Sequence, residues 1–328
     1  MHYMDMHCDT ISVLYAQKAE GKPYSLLKND LHIDLQKMRK GDCLLQNFAL
    51  FVHQKYSPDT TAQFVRLYEM YEEMMEENSA LIGKVLKFSD IAKNQEEGKF
   101  SALLTMEEAA PLKGEIHLLQ AAYRLGVRMI ALTWNYPNEI AWPNIMHWNA
   151  NGSPDFYQAN TTLGLTEKGI GFVQEMERLG IIADTSHLSD AGFYDLLRYT
   201  KKPFVASHSD ARSVSRNVRN LTDDMIRKLA ERGGVSGINF SAPFLHDGDE
   251  EGKIEYAVEN VRHFVKTGGI GCVGLGSDFD GIRTNRELYD CTCMPKLADA
   301  LVKAGFSEDE VEQIFWKNVM RVYREVLK

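Results

Sequence analysis

No stretch of this 328-residue chain approaches the roughly 18 consecutive apolar residues that a membrane-crossing helix requires. Clusters of lysine and arginine are missing as well. With 37 basic against 46 acidic residues the net charge is -9, which argues against nucleic acid or an anionic membrane as partner. Cysteine is scarce: five residues, at 8, 43, 272, 291 and 293, are an odd number that fits reduced thiols better than a disulfide framework. Cys291 and Cys293 form a C-x-C without the second pair that a closed zinc site needs, so they read as an ordinary loop. The opening "MHYMDMHCDTISVLY" has no basic stretch leading into an apolar one, and a cytoplasmic location is expected.

What is present is the composition of a soluble globular protein, 44% hydrophobic and 25% charged. Short apolar, β-rich runs recur near 4–9, 47–53, 101–107, 127–134, 181–187, 203–208, 234–240 and 272–278, as expected of parallel strands buried on both faces. Helical segments lie between them. Thr166 and Thr222 are placed to cap two, Ser307 with Glu310 makes a capping box, and Gly126 and Gly180 end helices directly before strands. Eight strand–helix units in one chain spanning 1–328 predict a single α/β domain, a (β/α)8 TIM-like barrel. Residues 59–79, with "YEMYEEMMEEN", read as an exposed helix with a solvated face. Residues 136–163 contain no clear element and follow the fourth strand, at the barrel end where active sites are built.

Chemistry begins at "MHCDT". Side chains alternate along a strand, so His7 and Asp9 point one way and Cys8 the other, toward packing. An H-x-D alone does not define a metal site. The same residue types return at other strand ends: Glu107 and Glu108 in "TMEEAA", His187 in "ADTSHLS", His208 in "VASHSD". Singly, each has an ordinary structural reading, but a barrel gathers its strand C-termini around one mouth. Three imidazoles and at least two carboxylates there suit zinc with an open position, and they exceed what one ion takes, so a shared carboxylate could bridge two. Asp278 and Asp280 in "GSDFDG" are again alternate residues, with Asp278 first at the mouth and placed to exchange a proton. In "HSDARSVSRNVRNLTDD", Arg212, Arg216 and Arg219 lie in a loop at that mouth, where an arginine can clamp a carboxylate.

Taken together, "MHCDT", "EE", "LTWN", "GLTEKG", "DTSHLS", "SHSDARSVSRNVRN", "GSDFDGI" and "WKNVMRV" resemble the renal (membrane) dipeptidase family of zinc peptidases, nearly end to end. The resemblance implies two zinc ions per chain. His7 and Asp9 would hold the first, Glu107 and a hydroxide or water would bridge both, and His187 with His208 would hold the second. It further implies Asp278 as the acid/base group, Arg219 as the clamp on a dipeptide's C-terminal carboxylate, and Trp134 and Asn135 at the substrate. Glu107 is preferred to Glu108 because it shares strand parity with Leu103 and Thr105. The family's mammalian enzymes carry a histidine, assigned to the oxyanion, where this chain has Trp134. Tolerance of a D-residue at the C-terminal position and a homodimer are also implied, with a soluble, prokaryotic-type member expected.

The expected activity is therefore hydrolysis of dipeptides, with Trp142, Trp148 and Tyr157 as candidate walls of the substrate cleft. Two rivals stand beside it. One keeps the metals but cleaves another amide, a lactam, a lactone or an N-acyl amino acid; the other is a metal-binding barrel without catalysis, for which a missing ligand would be expected and none is missing. A phosphate-sugar enzyme is disfavoured, since the glycines of "KTGGIG" precede the last strand and lie at the wrong barrel end.

Overall fold

The computed structural model describes all 328 residues. Nine strands run in chain order: β1 Tyr3–Asp5, β2 Cys43–Phe51, β3 Ile82–Lys84, β4 Phe100–Glu107, β5 Val127–Ala131, β6 Ile182–Asp184, β7 Val205–Ala206, β8 Val235–Ile238 and β9 Val273–Leu275. All pairings are parallel, and β1 joins β2 on one side and β9 on the other while β2 also pairs β4, which closes eight strands into a barrel with helices between them. The ninth, β3, was not anticipated. It lies along Phe100–Ala102 of β4, on the edge that β5 takes over only from Leu104 onward.

Register brings the strand ends level. Phe51 pairs Glu107, Glu107 pairs Ala131, and Ala131 pairs Asp184, so side chains at these positions emerge on one rim. Several strands are shorter than the apolar runs suggest: β1, β6, β7 and β9 end at Asp5, Asp184, Ala206 and Leu275, before His7, His187, His208 and Asp278. The reason is chemical. Asp5 Oδ1 accepts from the peptide N–H of His7 (3.3 Å) and, across the strand gap, of Ser277 (2.8 Å). Asp184 Oδ1 does the same for Ser186 (2.9 Å) and Ser207 (2.8 Å). Buried carboxylates thus replace ladder hydrogen bonds and let the chain leave the strand without orphaned amides.

The expected helix caps are present. Thr166 accepts from Gly169 N, Thr222 from Met225 N, and Ser307 forms the full box with Glu310. The helix Thr60–Glu77 departs from the expectation of an exposed element: Phe64, Leu67, Met70, Tyr71, Met74 and Met75 form a buried stripe, and only the acidic face is solvated. Met74 and Met75 follow Met70 by four and five positions and so fall on the same buried face.

The barrel floor is filled from outside its own strands. Val319, Val322, Tyr323 and Val326 of the helix Asn318–Val326 pack into one buried cluster with Met4, Leu45, Leu103 and Met129. Within it, the Tyr323 hydroxyl donates to Asn47 Oδ1 (2.9 Å), and Asn47 Nδ2 donates to the carbonyl of Met6 (2.9 Å), the residue before His7. Removing the hydroxyl leaves a buried amide oxygen unsatisfied, so Tyr323→Phe is expected to lower stability by about 1–2 kcal/mol in urea unfolding. Stability equal to the parent would mean that the bond contributes nothing.

Candidate metal centre

At the C-terminal rim of the barrel the expected ligands converge. His187 Nε2 lies 3.0 Å and His208 Nε2 3.6 Å from Glu107 Oε1, while His7 Nε2 lies 3.5 Å from Glu107 Oε2, 3.3 Å from Asp9 Oδ2 and 3.9 Å from Asp278 Oδ1. Two overlapping groups, His7–Glu107–His208 and His7–Asp9–Asp278, each hold their donor atoms within 4.8 Å of one another. All are buried, and Asp9 Oδ1 has no hydrogen-bond partner. His187 and Asp278 adopt left-handed backbone, φ 70° and 62°, an arrangement costing of order 1 kcal/mol or more each that is held where function demands it.

The tautomers follow from the outer contacts. Ser207 Oγ donates to Asp184 Oδ2 (2.5 Å), so it must accept from His208 Nδ1 (2.7 Å), and Asn135 Oδ1 accepts from His187 Nδ1 (2.8 Å). Both Nε2 atoms are left bare, with their lone pairs 3.2 Å apart. Neutral imidazoles with the other nitrogen tied down, facing carboxylates across a few ångströms, are the donor set of a divalent metal, and the residues fit one. Asn135, expected at the substrate, is thereby occupied with His187.

Electrostatics agree with a site built for cations. Burial, reinforced by the Asp9 charge, raises the Glu107 carboxyl to about 8, and burial raises Asp278 to about 6. Burial and the nearby Arg219 and His7 charges hold His187 and His208 well below the usual imidazole range. For His7 burial acts the same way, but the Glu107 and Asp9 carboxylates outweigh it and lift it.

The neighbouring candidates separate cleanly. Glu108, φ 101°, accepts from Ala110 N (2.8 Å), Asn138 Nδ2 (2.6 Å), Gln54 Nε2 (2.8 Å) and Trp134 N (3.0 Å), so it anchors the loop after β5 and takes no part in the cluster. Asp280 accepts from Thr10 Oγ1 (2.6 Å) and His32 N (2.7 Å), a structural bolt. Cys8 packs in the core, and all five cysteines are buried free thiols. Arg216 is exposed and paired to Asp247, and Arg212 is paired to Asp190. Arg219 alone is buried without a carboxylate: its contacts are Ser209 Oγ and His208 O at 3.4 Å, and its Nε has no partner.

Residues 136–163 run without helix or ladder and carry only isolated bridges. Trp134 stands between His53 (4.8 Å between ring centroids) and His187 (6.0 Å), and Trp148 stacks on Tyr136 at 5.4 Å. Tyr157 is exposed and Trp142 half-buried. Three supporting residues escaped the sequence reading. Asp5 and Asp184 sit two and three positions before a ligand histidine, a spacing that is their only trace, and Asn239, whose Nδ2 donates to Asp278 Oδ2 (2.9 Å), has none.

A parallel barrel with a buried histidine–carboxylate cluster at its C-terminal rim defines the class of metal-dependent hydrolase-like barrels. Within that class the family is shown by the whole chain. The model of the membrane dipeptidase family, peptidase family M19, matches residues 1–328, and the chain belongs to this family of metallopeptidases. It is 32% identical over 313 residues to an uncharacterized dipeptidase of Schizosaccharomyces pombe, covering 90% of this chain and 72% of that one. It is 33% identical over 244 residues to a Klebsiella pneumoniae protein encoded in the pqqA 5′ region, covering 74% and 88%. A metallopeptidase from Rhodobacter sphaeroides, crystallised with a phosphinate mimic of L-Ala-D-Ala, superposes with a TM-score of 0.90 at 25% identity over 99% of each chain. No helix is long and apolar enough to cross a membrane.

Metal ligands must be deprotonated to bind, and Glu107, at about 8 without a cation, is mostly protonated at pH 7. Binding therefore becomes weaker as pH falls below 8. Calorimetric zinc titration of chelator-stripped protein at pH 7, in buffers of different ionisation enthalpy, should report release of about one to two protons per chain, from Glu107 and from the lifted His7. Binding without proton release would contradict the raised carboxyl.

Proposed function

We propose that this protein is a zinc-dependent dipeptidase with a binuclear site. His7 and Asp9 would hold one ion and His187 and His208 the other, with the Glu107 carboxylate within reach of both groups. Zinc bound there supplies Lewis acidity at the scissile carbonyl and lowers the pKa of the attacking water.

The observation that carries the reading is Arg219. A buried guanidinium with no carboxylate partner is costly, and an anionic ligand beside it removes the cost. A dipeptide's terminal carboxylate meets that need with two parallel hydrogen bonds, and its scissile bond, one residue away, falls near the cluster. The clamp measures length: a third residue on the C-terminal side would carry the carboxylate out of reach.

Asp278 moves the proton. Asn239 fixes its Oδ2, and with a carboxyl near 6 it is largely ionised at neutral pH yet basic enough to take a proton from water and pass it to the leaving amine nitrogen. Trp134, half-buried beside His187, walls the cleft and has one N–H to offer, so oxyanion stabilisation rests on the metal side of the site. The likeness to the Rhodobacter sphaeroides enzyme with its L-Ala-D-Ala mimic supports counting L-Xaa-D-Xaa dipeptides among the substrates, beside L-Xaa-L-Xaa.

Elemental analysis paired with hydrolysis of L-Ala-L-Ala and L-Ala-D-Ala, before and after chelation, tests this. Close to two zinc per chain with chelator-sensitive cleavage is expected; two metals without cleavage would move the substrate to another amide, and no metal after zinc resupply would sink the reading. Asp278→Asn should retain both metals while losing activity by roughly 100-fold or more. Arg219→Ala should raise KM for dipeptides far more than for their C-terminal amides, and equal effects on both would remove the clamp.

A further inference from the structure

Arg219 is not held by its own side chain, whose two hydrogen bonds are both 3.4 Å long. Its place is set by its backbone. The carbonyl before it, Val218 O, accepts from Asn144 Nδ2 (2.8 Å) and Arg212 Nη2 (3.0 Å), and the carbonyl after it, Asn220 O, accepts from Arg212 Nε (2.9 Å). Arg212 is fixed in turn: Asp190 Oδ2 accepts from Nη1 (2.7 Å) and Oδ1 from Nη2 (2.8 Å), while Asn144 Nδ2 donates to the same Oδ1 (2.7 Å).

One guanidinium therefore engages a carboxylate and both carbonyls flanking Arg219, using all three of its nitrogens. Only the planar fork of arginine does this, and lysine cannot. The trio also spans three segments of the mouth: Asp190 opens the helix after β6, Arg212 lies in the loop after β7, and Asn144 belongs to the long loop after β5 and accepts at Oδ1 from Asn160 N (2.8 Å).

We infer that Arg212, held by Asp190 and Asn144, is the positioning residue for Arg219, and that this trio sets the preference for substrates ending in a free carboxylate. The inference rests on the reading of Arg219 as the carboxylate clamp. A clamp must hold its fork to a fraction of an ångström against the substrate, and slack in the two flanking peptides loosens it without touching the metal ligands.

The test compares kcat/KM for L-Ala-L-Ala with that for its C-terminal amide, in the zinc-loaded enzyme, for Arg212→Lys, Asp190→Asn, Asn144→Ser and Arg219→Ala, with metal content and circular dichroism measured on each. Arg212→Lys and Asp190→Asn should lower the dipeptide-to-amide ratio roughly ten-fold, mainly through KM, with metal content unchanged. Asn144→Ser, which removes one of two grips on Val218 O, should lower it by about three-fold and serves if the charged pair proves necessary for folding. In an Arg219→Ala background, Arg212→Lys should lower the ratio no further. A ratio preserved in all three trio variants while Arg219→Ala collapses it would overturn the positioning role and leave the clamp standing. A further fall in the double variant would also overturn it, and a ratio unmoved by Arg219→Ala would remove the clamp itself.

Discussion

Five candidate ligand side chains meet within a few ångströms of one another, and of these only Glu107 does so from a paired strand position. The barrel brings the others in by ending strands early. Asp5 and Asp184 accept the amide hydrogens that the ladder would have paired, both on their own strand's continuation and on the neighbour's, so the chain can turn inward at His7, His187, His208 and Asp278. Ser207 extends the device, receiving the His208 imidazole and passing its own hydrogen to Asp184. At Asp184 the carboxylate that stops the strands is thus also the group that fixes the orientation of the His208 ring.

Charge is arranged around the site in opposition. Acidic groups raised by burial face imidazoles kept neutral by burial, and a guanidinium with no acid of its own stands at the edge. Each group alone is unfavourable in a dry interior. On the reading proposed above, cations at the centre and an anion at the edge would relieve all of them at once, and the desolvation would favour binding of a metal and a carboxylate.

The barrel was legible because parallel strands buried on both faces write continuous apolar runs, and because capping residues such as Thr166, Thr222 and Ser307 sit at fixed offsets. The convergence of His7, Asp9, Glu107, His187 and His208 was legible because they recur at equivalent strand ends. What stayed hidden is whatever depends on a partner distant in sequence. Nothing local distinguishes Arg219 from Arg212 or Arg216; the difference is that Asp190 and Asp247 take the other two. That Asn135, expected at the substrate, also braces His187 depends on a partner 52 positions away. The short strand β3 carries too few residues to write a pattern, and the stripe of Met70, Met74 and Met75 was masked by the glutamates around it.

Adjacent residues Glu107 and Glu108 look in opposite directions, one into the ligand cluster and one into the root of the long loop. At the loop's middle, Asn144 ties it down a second time. Between Asn144 and Asn160 the chain carries the stacked Trp148 and the exposed Tyr157, and Phe156 O accepts from Val218 N (2.8 Å), a third fastening. The segment most able to meet a substrate's side chain is therefore tied to the peptide that precedes Arg219. A change in the loop's length would reach the Arg219 peptide as well as the cleft wall, while the cluster at the strand ends stays as it is.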